Sequence, residues 1–139
     1  MRSARFTAVV LIVSACNGLP PGHSASDIAG TYHATTLELD VQNSVKHVDY
    51  LLIGGSLNMV LTSDGHVTGQ LNLPASDLAP AVSADLSGTF RIVDPAVYFT
   101  MNDTSFVSDL YWNIVLNRLE TTGPFPPAPG ATITAAVSR

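Results

Sequence analysis

At 139 residues with a formal charge of −5, the chain is long enough for one compact domain and too acidic to favour a phosphate backbone. It has no Arg/Lys-rich run or basic helix, which excludes nucleic acid as a partner, and its single cysteine excludes an internal disulfide framework.

In chain order, Arg2 and Arg5 precede the apolar run FTAVVLIV, Phe6 to Val13, which is too short to span a bilayer as a helix. Small residues and then Cys16 follow. The pattern predicts a bacterial secretory signal over residues 1–15. Val13-Ser14-Ala15-Cys16 resembles the lipobox of bacterial lipoproteins, in which a peptidase cuts before a lipidated cysteine. The other reading is an ordinary signal peptide cleaved later, near Ala25. The lipobox resemblance implies lipidation of Cys16 and a firm membrane anchor of several acyl chains. With Asn17 and not Asp next, it implies an outer-membrane destination wherever the cell has such a membrane. Without residues 1–15, Lys46, Arg91, Arg118 and Arg139 face eleven acidic residues, a formal charge of −7.

Residues 16–29, rich in Pro, Gly and Ser, read as a flexible tether, and residues 30–139 as one domain. Gly30-Thr31-Tyr32 opens a first strand to about Val41. Its alternation changes parity, which predicts a bulge near Thr35-Thr36. Residues 42–55 read as a short helix capped by Ser44, as a long loop, or as a strand over Val48 to Ile53. Leu57 to Leu73 is the clearest hairpin, two alternating strands around Asp64-Gly65. Residues 74–84 read as a loop. Strands are then expected over Asp85 to Val93, Ala96 to Asn102 and Phe106 to Leu116, with a short one over Leu119 to Thr122. The Pro-rich stretch 123–130 cannot be the interior of a strand or helix. Ala131 to Val137 closes the domain with Ile133, Ala135 and Val137 inward.

The expected fold is therefore all-β. It is an antiparallel up-and-down meander of seven or eight strands closed into a small barrel, the other architecture being a sandwich. Gly69 and Gly88 fall inside strands, where a missing side chain permits a sharp barrel bend.

Gly30-x-Tyr32 at the entry to the first strand resembles the Gly-x-Trp of lipocalins, and the order of features after it is that of a lipocalin-like or calycin-type barrel. Tyr32 stands where the family has tryptophan, and residues 123–130 stand where it has a flanking helix. The resemblance implies binding or carriage of a small apolar molecule. It also implies a basic residue stacked on the first-strand aromatic, for which Arg118 and Arg139 are the candidates.

Met59, Leu61, Leu71, Phe90, Phe99, Met101, Trp112 and Ile114 are the candidate lining of an apolar cavity. The same residues would equally fill a solid barrel, leaving a structural or protein-interaction domain of the cell envelope. Tyr111 and Val115, apolar on the opposite face, fit the latter. No hydrolase signature is present, so no catalytic residue and no enzyme is expected. His23 and His66 have no nearby acid at metal-ligand spacing, and whether His33 and His47 approach one another is not set by the sequence; all four read as surface histidines, so neither metal nor cofactor is expected. The expected partners are the membrane, through the lipidated N-terminus, and either a small apolar ligand or an envelope protein.

Overall fold

The computed structural model describes residues 22–139. The expected signal sequence, the lipobox and Cys16 lie outside the described residues. No helix among the described residues is long and apolar enough to cross a membrane.

Nine strands follow one another among the described residues: β1 (Gly30–Val41), β2 (His47–Asp49), β3 (Ser56–Leu61), β4 (His66–Leu73), β5 (Val82–Val93), β6 (Ala96–Met101), β7 (Trp112–Val115), β8 (Arg118–Pro124) and β9 (Ala131–Ser138). Every pairing is antiparallel, and β1 also pairs with β9, so the sheet closes on itself. The closed ring has eight strands, and β2 is an extra short strand against the second half of β1. This is the meander expected from the alternating pattern, and closure leaves the ring without a free edge. The bulge falls where the parity changes, between Ala34 and Thr36, and it turns both Tyr32 and Leu37 into the core.

Three tight turns, residues 62–65, 94–95 and 116–117, mark one end, the base. Four longer connections mark the other, the mouth: residues 42–55, 74–81, 102–111 and 125–130. Within the stretch expected to be tether, Ala25–Ile28 forms one helical turn, α1, and Ile28 is buried under the base. Ser24 and Asp27 close it with reciprocal capping bonds. Gly30 sits at φ +155°, and a Cβ there would lie 2.6 Å from Arg139 Cδ. The gap lets Arg139 cross the base. Its guanidinium donates to the carbonyls of Asp27 and Ala29 at 2.9 and 3.1 Å and lies 5.8 Å from the Tyr32 ring centroid. Arg118 instead pairs with Glu120 at 2.6 Å, so Arg139 is the stacking cation.

Gly69 and Gly88 behave as expected of barrel bends. A Cβ at Gly69 would sit 2.1 Å from the Asn58 carbonyl oxygen, and one at Gly88 2.0 Å from that of Thr100. Neighbouring backbone occupies the side-chain space.

Other segments also differ from expectation. β5 begins at Val82, inside the expected 74–84 loop, where Val82 pairs with Leu73, and β8 runs on through Gly123 to Pro124, into the stretch expected to exclude a strand, because both residues still pair with β9. Residues 42–55 hold both a strand, β2, and a 3₁₀ turn, Leu51–Ile53, ended by Gly54 at φ +89°. Asp49 Oδ1 accepts from the Leu51 and Leu52 N–H groups, whereas Ser44 accepts from Lys46 in the β1–β2 turn, so Asp49 and not Ser44 starts the helical turn. The expected strand Phe106 to Leu116 begins only at Trp112, because Phe106–Asp109 is a helical turn, α2. A strand would aim Phe106 and Val107 at opposite faces. The helical turn buries both, and Ser108 Oγ helps hold it by donating to the Ser105 carbonyl at 3.0 Å.

Candidate functional site: the mouth of the barrel

Alternation along each strand sends one row of side chains inward. Of the eight candidate lining residues, Met59, Leu61, Leu71, Phe90, Phe99, Trp112 and Ile114 are buried in one contiguous core, and Met101 packs against it half-buried. The aromatics continue toward the mouth. Phe90 meets Phe99 edge to face at 6.3 Å, Phe99 meets Trp112 at 6.2 Å, Trp112 stacks on Phe106 at 6.4 Å, and Phe106 meets Phe125 at 6.1 Å. Trp112 Nε1 donates to the Val107 carbonyl at 3.1 Å, which ties α2 to the top of β7. The structure thus brings these residues together as a packed row that ends under the mouth loops.

Two clefts open at the mouth, and none of the eight candidates lines either. The first, about 880 Å³, lies between the 42–55 and 74–81 connections. Its rim carries the exposed side chains of Val45, Leu52 and Ile53. The second, about 460 Å³, lies between α2 and the 125–130 loop. Phe106, Phe125, Pro126 and Pro127 give it apolar walls, and Thr104, Ser105 and Asp109 give it polar ones. Three buried side-chain oxygens among the described residues lack a hydrogen-bond partner: Tyr50 Oη, Asp103 Oδ1 and Ser105 Oγ. All three belong to mouth connections. Sequence reasoning placed Ser105 next to a strand and Phe125 in a structureless loop, so neither registered as a site residue. The only available signal was the Pro-rich run itself.

The outer wall carries its own groupings. Arg91 lies 4.4 Å from the centroid of the cross-strand Tyr98 ring, and Tyr98 tilts against Tyr111 at 6.2 Å. Tyr111 remains half-exposed, and Val115 is partly buried. Glu38, Asp40 and His47 bring ligand-type atoms within 4.8 Å of one another on the β1–β2 outer face. His47 Nδ1 bonds Asp40 Oδ1 at 2.9 Å, and that bond raises the imidazole pKa above its usual 6.5. Asp40 and His47 face each other directly across β1 and β2, a relation hidden until residues 42–46 are known to be a hairpin turn. Asp40 and His47 are exposed and Glu38 is partly buried, and the Asp40–His47 bond is a cross-strand pairing of the hairpin. The other histidines also have neighbours: His33 bonds Asn58 at 2.7 Å, His66 pairs with Asp64 at 3.2 Å, and His23 bonds Asp94. The hydrogen bonds from Thr62 and His23 hold the Asp64 and Asp94 carboxyls below the usual range.

The eight-stranded antiparallel barrel is consistent with a calycin or lipocalin-like fold, and such a small closed barrel is consistent with a ligand-binding cavity. Comparison with protein-family models, with curated proteins and with solved structures finds no match.

Proposed function

We propose that the chain is an exported, outer-membrane-anchored lipoprotein whose barrel binds or carries a small apolar ligand without catalysis. One observation carries the binding reading. The mouth of a closed barrel holds an apolar-walled cleft of about 460 Å³ that abuts the core aromatics Phe106 and Phe125. That is the size and wall chemistry of a small-molecule site. The anchor rests on Val13-Ser14-Ala15-Cys16. In this reading anchor and mouth lie at opposite ends, since His23 is bonded to Asp94 in the base turn. The seven residue steps from Cys16 to His23 reach at most about 25 Å, which in this reading holds the base near the membrane and turns the mouth away from it.

Two measurements test this. Mass spectrometry of the N-terminal peptide from the native chain should find it starting at an acylated Cys16; an unmodified peptide starting elsewhere removes the anchor. Solvent extraction of the purified chain should release an apolar compound, and the chain should enhance the fluorescence of the neutral apolar dye N-phenylnaphthylamine. Failure of both removes the carrier reading. The second reading, a protein-interaction barrel of the envelope, is favoured by the half-exposed Tyr111 at the end of the Arg91–Tyr98–Tyr111 stack. It would stand if the core and both clefts take up no apolar molecule.

A further inference from the structure

Two pairs of polar side chains face each other on the outer surface of the β1–β2 hairpin. Glu38 and Asp40 are two residues apart on β1, and the antiparallel register sets Asp49 opposite Glu38 and His47 opposite Asp40. The two-residue period sends all four to the same side of the sheet. Glu38, Asp40 and His47 each bring one ligand-type atom within 4.8 Å of the other two. Asp49 Oδ1 is taken by the Leu51 and Leu52 N–H groups, so this carboxylate counts for its charge and not as a ligand. Among the described residues, no lysine or arginine forms an ion pair with Glu38, Asp40 or Asp49, and the pair within the group is Asp40 with His47. Three carboxylates therefore share one face with a single imidazole, and the partly buried Glu38 has no cation of its own.

We propose that Glu38, Asp40 and His47 bind a divalent ion of the zinc class, which clips β2 to β1. Zinc takes imidazole nitrogen and carboxylate oxygen at about 2.1 Å, so ligand atoms around a tetrahedral ion stand about 3.4 Å apart. The separation of His47 Nδ1 from Asp40 Oδ1, 2.9 Å, is already on that scale, and both side chains are exposed and free to adjust. The ion replaces the proton held between those two atoms, which passes to solvent. The imidazole selects zinc-class ions over calcium and magnesium, which take oxygen ligands. Three protein ligands leave a fourth position for water. The clip acts where the sheet is weakest, since β2 has three residues and pairs only with β1. His47 and Asp49 also line the larger mouth cleft, so the ion fixes part of its wall. The site stands apart from the carrier reading.

The test uses the purified full chain without a histidine tag, and zinc chloride as the probe. Calorimetry should find one zinc bound per chain, with excess magnesium unable to compete. Glu38→Gln, Asp40→Asn and His47→Gln should each weaken binding by about tenfold or more, since partners that merely orient a metal ligand are already worth that much. In an NMR titration the His47 ring should respond before those of His23, His33 and His66, and β2 amides should exchange more slowly once zinc is bound. The ring titration needs no variant, so it decides even where a substitution disturbs the hairpin. The inference is overturned if zinc does not bind, if it binds all three variants as tightly, or if another histidine responds first.

Discussion

The Arg139 guanidinium lies 5.8 Å from the Tyr32 ring centroid, so the residue after β9 is joined to the start of β1 across the base. Its Nη1 reaches two carbonyls of the α1 segment, and Tyr32 Oη donates to a third, that of Ile28, at 2.8 Å. Burial raises the Tyr32 pKa and Arg139 opposes the rise, so the phenol stays a donor through neutral pH. Arg139→Ala is expected to cost about 1–2 kcal/mol through the lost charge-assisted bonds and ring contact. Hydrogen exchange should speed up first at α1. An unchanged denaturation midpoint would show that the base closes without the arginine.

The glycines of the bends make a sharper demand. At Gly88 a methyl group would overlap the Thr100 carbonyl, which is backbone and has no rotamer to give. Gly88→Ala should therefore destabilise by about 3 kcal/mol, more than its helix-neutral chemistry suggests, and Gly69→Ala similarly. Chemical denaturation of the two variants checks this. A change under half a unit of that energy scale would mean the sheet relaxes freely there.

Leu116 presents the opposite case. It lies in the β7–β8 turn at φ +58° and is 92 % exposed, so it bears left-handed strain with no packing in return. Leu116→Gly is expected to stabilise by about 0.5–1 kcal/mol, the relieved strain less the added freedom of the unfolded chain. A lowered melting temperature would indicate an unrecognised contact for this side chain.

The β1–β2 hairpin should be pH-sensitive. Asp40 raises the His47 pKa above 6.5 in the folded state, so the stabilisation is fully present below the unfolded value and is lost as pH rises through the higher folded value. Following the imidazole resonance of His47 by NMR should give a midpoint above 6.5 that Asp40→Asn returns to the ordinary range. An identical midpoint in the variant would assign the shift to other carboxylates nearby.

Much of the fold was legible because alternation at a period of two is a property of each strand alone. Leu57, Met59 and Leu61 announce an inward row wherever β3 is placed, and Asp64-Gly65 announces a reversal. Phe106 and Val107 misled for the same reason. Two adjacent apolar residues fit a strand pattern until both must be buried under a barrel end. The site was less legible because its walls come from α2 and from the 125–130 loop, which β7 and β8 separate in sequence.

By itself the sequence determined an acidic, all-β chain, the hairpin around Asp64-Gly65 and the glycines at the bends. These follow from local sterics and from the two-residue period. Tertiary structure alone decided that Arg139 and not Arg118 covers Tyr32, that Asp40 faces His47, and that α2 and the 125–130 loop wall one cleft at the mouth. Each depends on which distant segments closure of the β1–β9 seam brings together, and pairing across a closed barrel is not encoded in any one stretch of chain.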